Sequence, residues 1–129
     1  MKAIRQTYHI KASIEEVWKA LTDTKYIDGW GGGPAKMSDK VGFQFSLWGG
    51  DIYGKNIEVI ANKKLVQEWF GGKWDGPSIA TFVLSSKNDQ TTIEFTHIDV
   101  PESEYKDIEQ GWKDYYLGPL KEYLEKKNK

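Results

Sequence analysis

Of the two histidines in this chain, His97 is the residue best placed for chemistry near neutral pH. In the segment TTIEFTHIDV it shares strand parity with Ile93 and Phe95, so its imidazole should point with them toward a core or cavity. An imidazole in a pocket hydrogen-bonds a ligand or acts as a general base. The competing reading is a core histidine satisfied by a nearby Tyr hydroxyl or backbone carbonyl. No second catalytic group stands at a readable spacing from it. A hydrolase or cyclase using His97 is therefore the last-ranked function, and no catalytic residue is assigned. His9 falls on the polar side of the first strand, where water solvates it.

Other arrangements that resemble chemistry dissolve on inspection. Gly49, Gly54 and Lys55 in GGDIYGKN come within one residue of a phosphate-binding loop, but Asn56 stands where Ser or Thr is required. The segment also lies between two strands, so no helix N-terminus is available to an anion. Two distant histidines, no cysteine and no acidic run at ligand spacing form neither a zinc nor a calcium site, and no cofactor is expected. Glu102, Glu104, Asp107 and Glu109 gather where the last helix begins, a place the helix dipole favours. Glu122 and Lys126 form an i,i+4 surface pair worth ~0.3–0.5 kcal/mol.

The aromatic content is high, with six Trp, seven Tyr and five Phe. In a chain this short these rings build either a bulky core or the wall of a pocket for an apolar ligand. Phe43, Phe45, Tyr53, Trp69, Phe82, Phe95 and Trp112, with His97 and Tyr116, are the expected lining of an elongated cavity between a sheet and the last helix. The parity of Trp69 stays open, because Leu65–Phe70 is apolar on both faces. The alternative is that these side chains fill the interior completely.

The elements that must hold these residues follow from periodicity. Ala3–Lys11 alternates, with Ile4, Tyr8 and Ile10 on one side. Ser13 opens a helix through a capping box with Glu16, burying Val17, Trp18 and Leu21. A shorter helix behind Thr24 should stop at Gly29, and GWGGGP supports no regular element. A strand meander follows: Phe43, Phe45 and Leu47 alternate with polar neighbours, Gly49-Gly50 forms a two-residue turn, and Asp51–Ala61 returns with a bulge at Gly54. Leu65–Phe70, Ser78–Ser86 and Thr91–Val100 complete it, the last two joined at Asn88-Asp89. Beyond Pro101 a helical stripe of Trp112, Tyr116, Pro119, Leu120 and Tyr123 appears, kinked near Tyr115–Pro119 by Gly118-Pro119. The kink should close the cavity locally and leave its open part near Trp112. This order predicts one α+β domain over residues 1–129, a helix-grip arrangement of a curved antiparallel sheet around a long C-terminal helix with two short N-terminal helices.

Eighteen basic and nineteen acidic side chains give a net charge of −1, and nothing in that balance favours a nucleic-acid or anionic-membrane partner, both of which want a basic surface; neither is expected. The absence of cysteine excludes a disulfide framework. No apolar run approaches the ~20 residues of a membrane span, and MKAIRQTYHIKAS is neither a signal peptide nor an anchor. A cytoplasmic protein is expected.

Five segments carry a resemblance: ASIEEVWKALTDTKYIDGWGG at Ala12–Gly32, VGFQFSLWGGDIYGKNIEV at Val41–Val59, KLVQEWFGGKW at Lys64–Trp74, TTIEFTHIDVP at Thr91–Pro101 and GWKDYYLGPLKEYL at Gly111–Leu124. In this order they resemble the START-like (birch-pollen-allergen-like) superfamily and, within it, homologues of the activator of the heat-shock protein 90 ATPase. The resemblance implies the helix-grip fold. It also implies a non-enzymatic domain that binds a small or medium hydrophobic ligand or, alternatively, a co-chaperone-like module in the stress response whose partner is a chaperone or client protein. For the second role the loops GWGGGPAKM and GGKWDGP, with Trp30 and Trp74, are the expected contact surface.

Overall fold

The computed structural model describes residues 2–71 and 76–127. Strand β1 spans Lys2–Ile10, with Ile4 and Ile10 buried and Arg5, Thr7 and His9 exposed, as its alternation requires. Helix α1 (Ile14–Thr22) begins behind Ser13, whose hydroxyl accepts the Glu16 amide at 3.2 Å, and Val17, Trp18 and Leu21 form its buried face. Helix α2 (Thr24–Trp30) is capped by the Asp23 carboxylate, which accepts the Lys25 amide at 2.8 Å. It ends one residue later than expected, because Gly31 rather than Gly29 supplies the left-handed turn, at φ 106°.

The remaining strands are β2 (Gln44–Leu47), β3 (Ile52–Ile60), β4 (Lys64–Gly71), β5 (Ser78–Lys87) and β6 (Gln90–Val100). With β1 they form one curved, wholly antiparallel sheet in the order β1-β6-β5-β4-β3-β2. The excursion through α1 and α2 carries the chain from one sheet edge to the other. Asn88 and Asp89, at φ 54° and 62°, make the expected two-residue turn between β5 and β6.

Two turn expectations are corrected. Leu47 pairs with Ile52, so the β2–β3 connection is four residues long, and Trp48, Gly49 and Gly50 all have positive φ. Its cause lies in Trp48, whose backbone amide and indole N–H donate to the carbonyls of Gly32 (2.8 Å) and Gly31 (2.9 Å) and pull the chain out of the sheet. Gly54 stays in register with Phe45 and Trp69, and the irregularity of β3 falls between Asn56 and Glu58. Gly54 is there for close approach instead: a Cβ would collide with the Glu68 carbonyl oxygen and press on the Phe45 ring.

The C-terminal segment is one continuous helical path with a break in its period. Helix α3 (Tyr105–Gly111) leads into a π-turn at Trp112–Tyr116, and α4 follows (Leu117–Lys127). The Leu117 amide donates to the Trp112 carbonyl, five residues back rather than four. The extra residue rotates the inward stripe. Trp112, Tyr116 and Leu120 are buried as expected, but Leu117 and Leu124 join them, while Pro119 and Tyr123 are only partly buried. The path crosses the concave face, where one core gathers Leu65, Trp69, Phe82 and Phe95 from the sheet, Ile27 and Trp30 from α2, and the helical stripe.

Candidate functional site

A cavity of about 160 Å³ lies between the π-turn and the β2–β3 edge of the sheet. It is lined by Trp48, Ile52, Trp69, His97, Ile108, Gly111, Trp112, Tyr115 and Tyr116. Strand parity explains the sheet contributions: Leu65, Gln67 and Trp69 point inward from β4, which settles the open parity of Trp69. Trp69 and Trp112 approach to 4.6 Å between ring centroids, and Trp112 and Tyr116 to 4.7 Å. Tyr115, exposed at the rim, turns the other way.

Five expected lining residues stand elsewhere. Phe82 and Phe95 are buried, and each contacts Trp112, at 5.9 and 4.1 Å; they fill the interior instead of bounding the cavity. Phe45 is buried against Trp69 at 5.9 Å. Phe43 precedes β2 and is half-buried at the margin of the core. Tyr53 requires a plain correction: it is 50% exposed and stacks on Phe70 at 5.4 Å on the outer face. The cause is parity, since Ile52, Gly54 and Asn56 are the inward positions of β3. Trp30 is corrected too. It is buried, touches Tyr116 at 4.6 Å and donates its indole N–H to the Ala20 carbonyl at 2.9 Å, so it offers nothing to a partner at the surface. Trp74 lies outside the described residues.

His97 is fully buried, as its parity predicted. Its two ring nitrogens meet an indole and a serine hydroxyl. The Trp112 indole N–H donates to Nδ1 at 3.0 Å, and Nε2 lies 2.7 Å from the Ser78 hydroxyl. An indole nitrogen only donates, so Nδ1 must be the acceptor and the neutral ring carries its proton on Nε2. His97 therefore donates to Ser78, whose hydroxyl in turn donates to the Trp69 carbonyl at 3.1 Å. The serine–histidine contact has the spacing of a nucleophile and its base, but its polarity is reversed: the nitrogen facing Ser78 has no lone pair to receive a proton. Burial lowers the His97 pKa to about 4. An imidazolium would also bring a second N–H against the Trp112 N–H.

A second buried chain fixes the neighbouring ring. The Trp69 indole N–H donates to Gln67 Oε1 at 2.8 Å, the Gln67 amide donates to Asn56 Oδ1 at 2.9 Å, and Asn56 donates to the carbonyls of Ser38 and Lys40 at 2.8 and 3.1 Å. With Trp48 bonded to Gly31, all three indole N–H groups in the cavity wall are engaged. The Tyr116 hydroxyl differs. It is enclosed, it has no hydrogen-bond partner among the described residues, and burial pushes its pKa up.

Trp48, Ile52, Ile108, Gly111 and Tyr115 were not among the expected residues. Trp48 and Ile52 flank the turn whose length the Gly-Gly pair disguised. Gly111 and Tyr115 reach the cavity through the π-turn, for which the signal was Gly118-Pro119. Ser78 has no local signature, because its meeting with His97 depends on the pairing of β5 with β6.

Among the described residues, no group of three or more His, Asp or Glu converges as metal ligands, and no helix is long and apolar enough to cross a membrane. An antiparallel sheet gripping a C-terminal helix, closed at one end by two short helices, defines a START-like, helix-grip protein. The chain belongs to the Activator of Hsp90 ATPase homolog 1-like family, which matches it over residues 11–125. It is 25% identical over 112 residues to the human activator of 90 kDa heat shock protein ATPase homolog 1, a match covering 85% of this chain and 33% of that protein. It spans about a third of the length of the first curated relatives it matches. Among solved structures, an HSP90 activator from Plasmodium falciparum superposes with a TM-score of 0.87 at 26% identity, covering 96% of each chain. The Aha1 dimer from Colwellia psychrerythraea gives a TM-score of 0.83 at 26% identity, covering 97% of each.

Proposed function

We propose that residues 1–129 act as one cytoplasmic, non-enzymatic domain that holds a small apolar ligand in the cavity beneath the π-turn. The observation that carries this reading is a hollow of about 160 Å³ walled by three indole rings. A cavity of that size with apolar walls accepts a benzene-sized molecule. The reversed polarity of His97 and Ser78 speaks against proton abstraction there. Toluene binding, followed by tryptophan fluorescence and thermal unfolding, tests the reading. At a hundredfold excess over Kd the native state gains ~2.7 kcal/mol. Gly111→Leu is the control. A Cβ at Gly111 meets nothing nearer than Tyr115 Cδ2 at 3.9 Å, so the longer side chain should fold and occupy the space. A Gly111→Leu response equal to wild type, or no response in either, refutes the reading.

A second reading is supported by the family itself and by the likeness to an HSP90 activator. In it the domain contacts a chaperone ATPase, and the exposed apolar side chains of the outer sheet face, including Tyr53, Val83 and Ile98, are available for the contact. The ATPase rate of a purified heat-shock protein 90, measured with and without this chain, tests it. An unchanged rate at saturating concentration counts against it.

A further inference from the structure

We propose that the cavity has a direction: it takes a one-ring aromatic molecule end-on, hydrocarbon edge against the floor, and admits a polar substituent only at the end facing the mouth beside Tyr115. This rests on the ligand-binding reading above and narrows it to a chemical class, arenes polar at no more than one end, such as a monohydric phenol. The volume, about 160 Å³, admits one ring with a short substituent. The rings of Trp48, Trp69 and Trp112 in the wall favour a flat π-surface over a branched aliphatic one. Exposure of the lining is graded. Trp69, His97, Trp112 and Tyr116 are buried and form the floor. Trp48, Ile52, Ile108 and Gly111 are half-buried, and Tyr115, 67% exposed, stands at the rim. A ligand group at the rim therefore keeps contact with water, and one at the floor loses it.

Among the described residues, the floor has no hydrogen bond to offer. Trp69 and Trp112 have committed their N–H groups to Gln67 and His97, and both ring nitrogens of His97 are engaged. The Tyr116 hydroxyl is so tightly enclosed that it has almost no accessible surface, which puts it out of a ligand's reach. A ligand hydroxyl pressed against this floor would lie unpaired, or would have to break one of the existing bonds, and either is unfavourable. The same hydroxyl at the mouth stays hydrated and loses nothing. The two ends of a bound ring are therefore unequal, and a second polar group on the far side has no place to go.

The test titrates benzene, phenol and hydroquinone into the wild-type chain by calorimetry. Each step of this series replaces one ring hydrogen by a hydroxyl, the second para to the first. The first hydroxyl should change the affinity by about threefold or less, because it points out of the mouth into water. The second should weaken binding by about tenfold or more, because it is driven against the floor. A second readout gives the orientation directly. In bound phenol, the proton para to the hydroxyl should show NMR cross-peaks to the rings of Trp69 and Trp112, and the protons beside the hydroxyl to the ring of Tyr115. Two equally large losses would mean that the mouth is as dry as the floor. Two equally small ones would mean that the floor supplies a partner, and reversed cross-peaks that the ring sits the other way round. Each of these overturns the direction while benzene binding leaves the apolar-ligand reading standing. If benzene itself does not bind, both fall together.

Discussion

The buried pairing of His97 makes a quantitative prediction about acid stability. Its pKa is about 4 in the folded chain, against 6.5 for a free imidazole. That difference is worth ~3 kcal/mol between the charged and neutral forms. The sign follows from proton counting. Between pH 6.5 and pH 4 the unfolded chain takes up a proton on this residue and the folded chain does not, so unfolding gains and stability falls as pH is lowered. The contribution is fully present above pH ~6.5 and has largely gone by pH ~4. From pH 7.5 to 4.5 the loss from this one residue is ~2–3 kcal/mol. His97→Gln isolates it, since a glutamine can accept from the Trp112 indole and donate to Ser78 without titrating. Urea unfolding of both proteins at the two pH values gives four free energies. Wild type should lose ~2–3 kcal/mol more than the variant across the interval, with the contributions of all other groups common to both. Parallel losses, or an NMR titration of His97 near 6.5, would refute the assignment of a neutral ring held between Trp112 and Ser78.

Trp112→Ala removes a buried indole that touches Phe95, Trp69 and Tyr116 and leaves His97 Nδ1 without its donor. It should cost ~3–5 kcal/mol in chemical denaturation, and a melting temperature within a few degrees of wild type would contradict the packing. Asn56→Ala removes the donor shared by the Ser38 and Lys40 carbonyls and the oxygen that accepts from the Gln67 amide, and a loss of ~1–3 kcal/mol in urea unfolding is expected. Gly118→Ala would stabilise an ordinary helix, but here a Cβ collides with the Lys113 carbonyl oxygen. It should destabilise by ~1–3 kcal/mol, read as a lowered melting temperature.

Much of the scaffold could be read from local pattern. The Ser13 cap on the Glu16 amide, the alternation of β1, and the Asn88-Asp89 turn are decided by neighbours within four residues, and each appears as expected. The inward direction of His97 follows from parity with Ile93 and Phe95. Features set by distant contacts were not legible. Nothing near Trp48 announces that its indole will bond Gly31, yet that bond lengthens the β2–β3 turn and brings Trp48 to the cavity. An aromatic side chain alone makes Tyr53 an expected wall residue, but strand parity turns it outward and puts Ile52 in the wall. The proline in the last helix signalled an irregularity, but whether that means a kink or an inserted residue depends on what each side of it packs against.

That dependence explains why the cavity lies where it does and predicts how it responds to repair of the helix. Pro119 lacks an N–H for the Tyr115 carbonyl, and its ring pushes that carbonyl away, an effect worth ~3 kcal/mol in a regular helix interior. The simplest expectation is that Pro119→Ala would let the π-turn relax to an α-turn. Packing opposes this. Removing the inserted residue would rotate α4 by about 100° relative to α3, one residue step of a 3.6-residue helix. Leu117, Leu120 and Leu124, all fully buried, would leave the core, or Trp112 would. Exposing three leucines costs ~1.5–3 kcal/mol each, more in total than the strain the substitution relieves. Pro119→Ala should therefore keep the π-turn, the buried Tyr116 and the fluorescence response to toluene, with stability unchanged or slightly raised. A regular α-turn at Trp112–Tyr116 in the variant, or loss of the toluene response in a folded protein, would mean that the proline alone holds the helix away from the sheet.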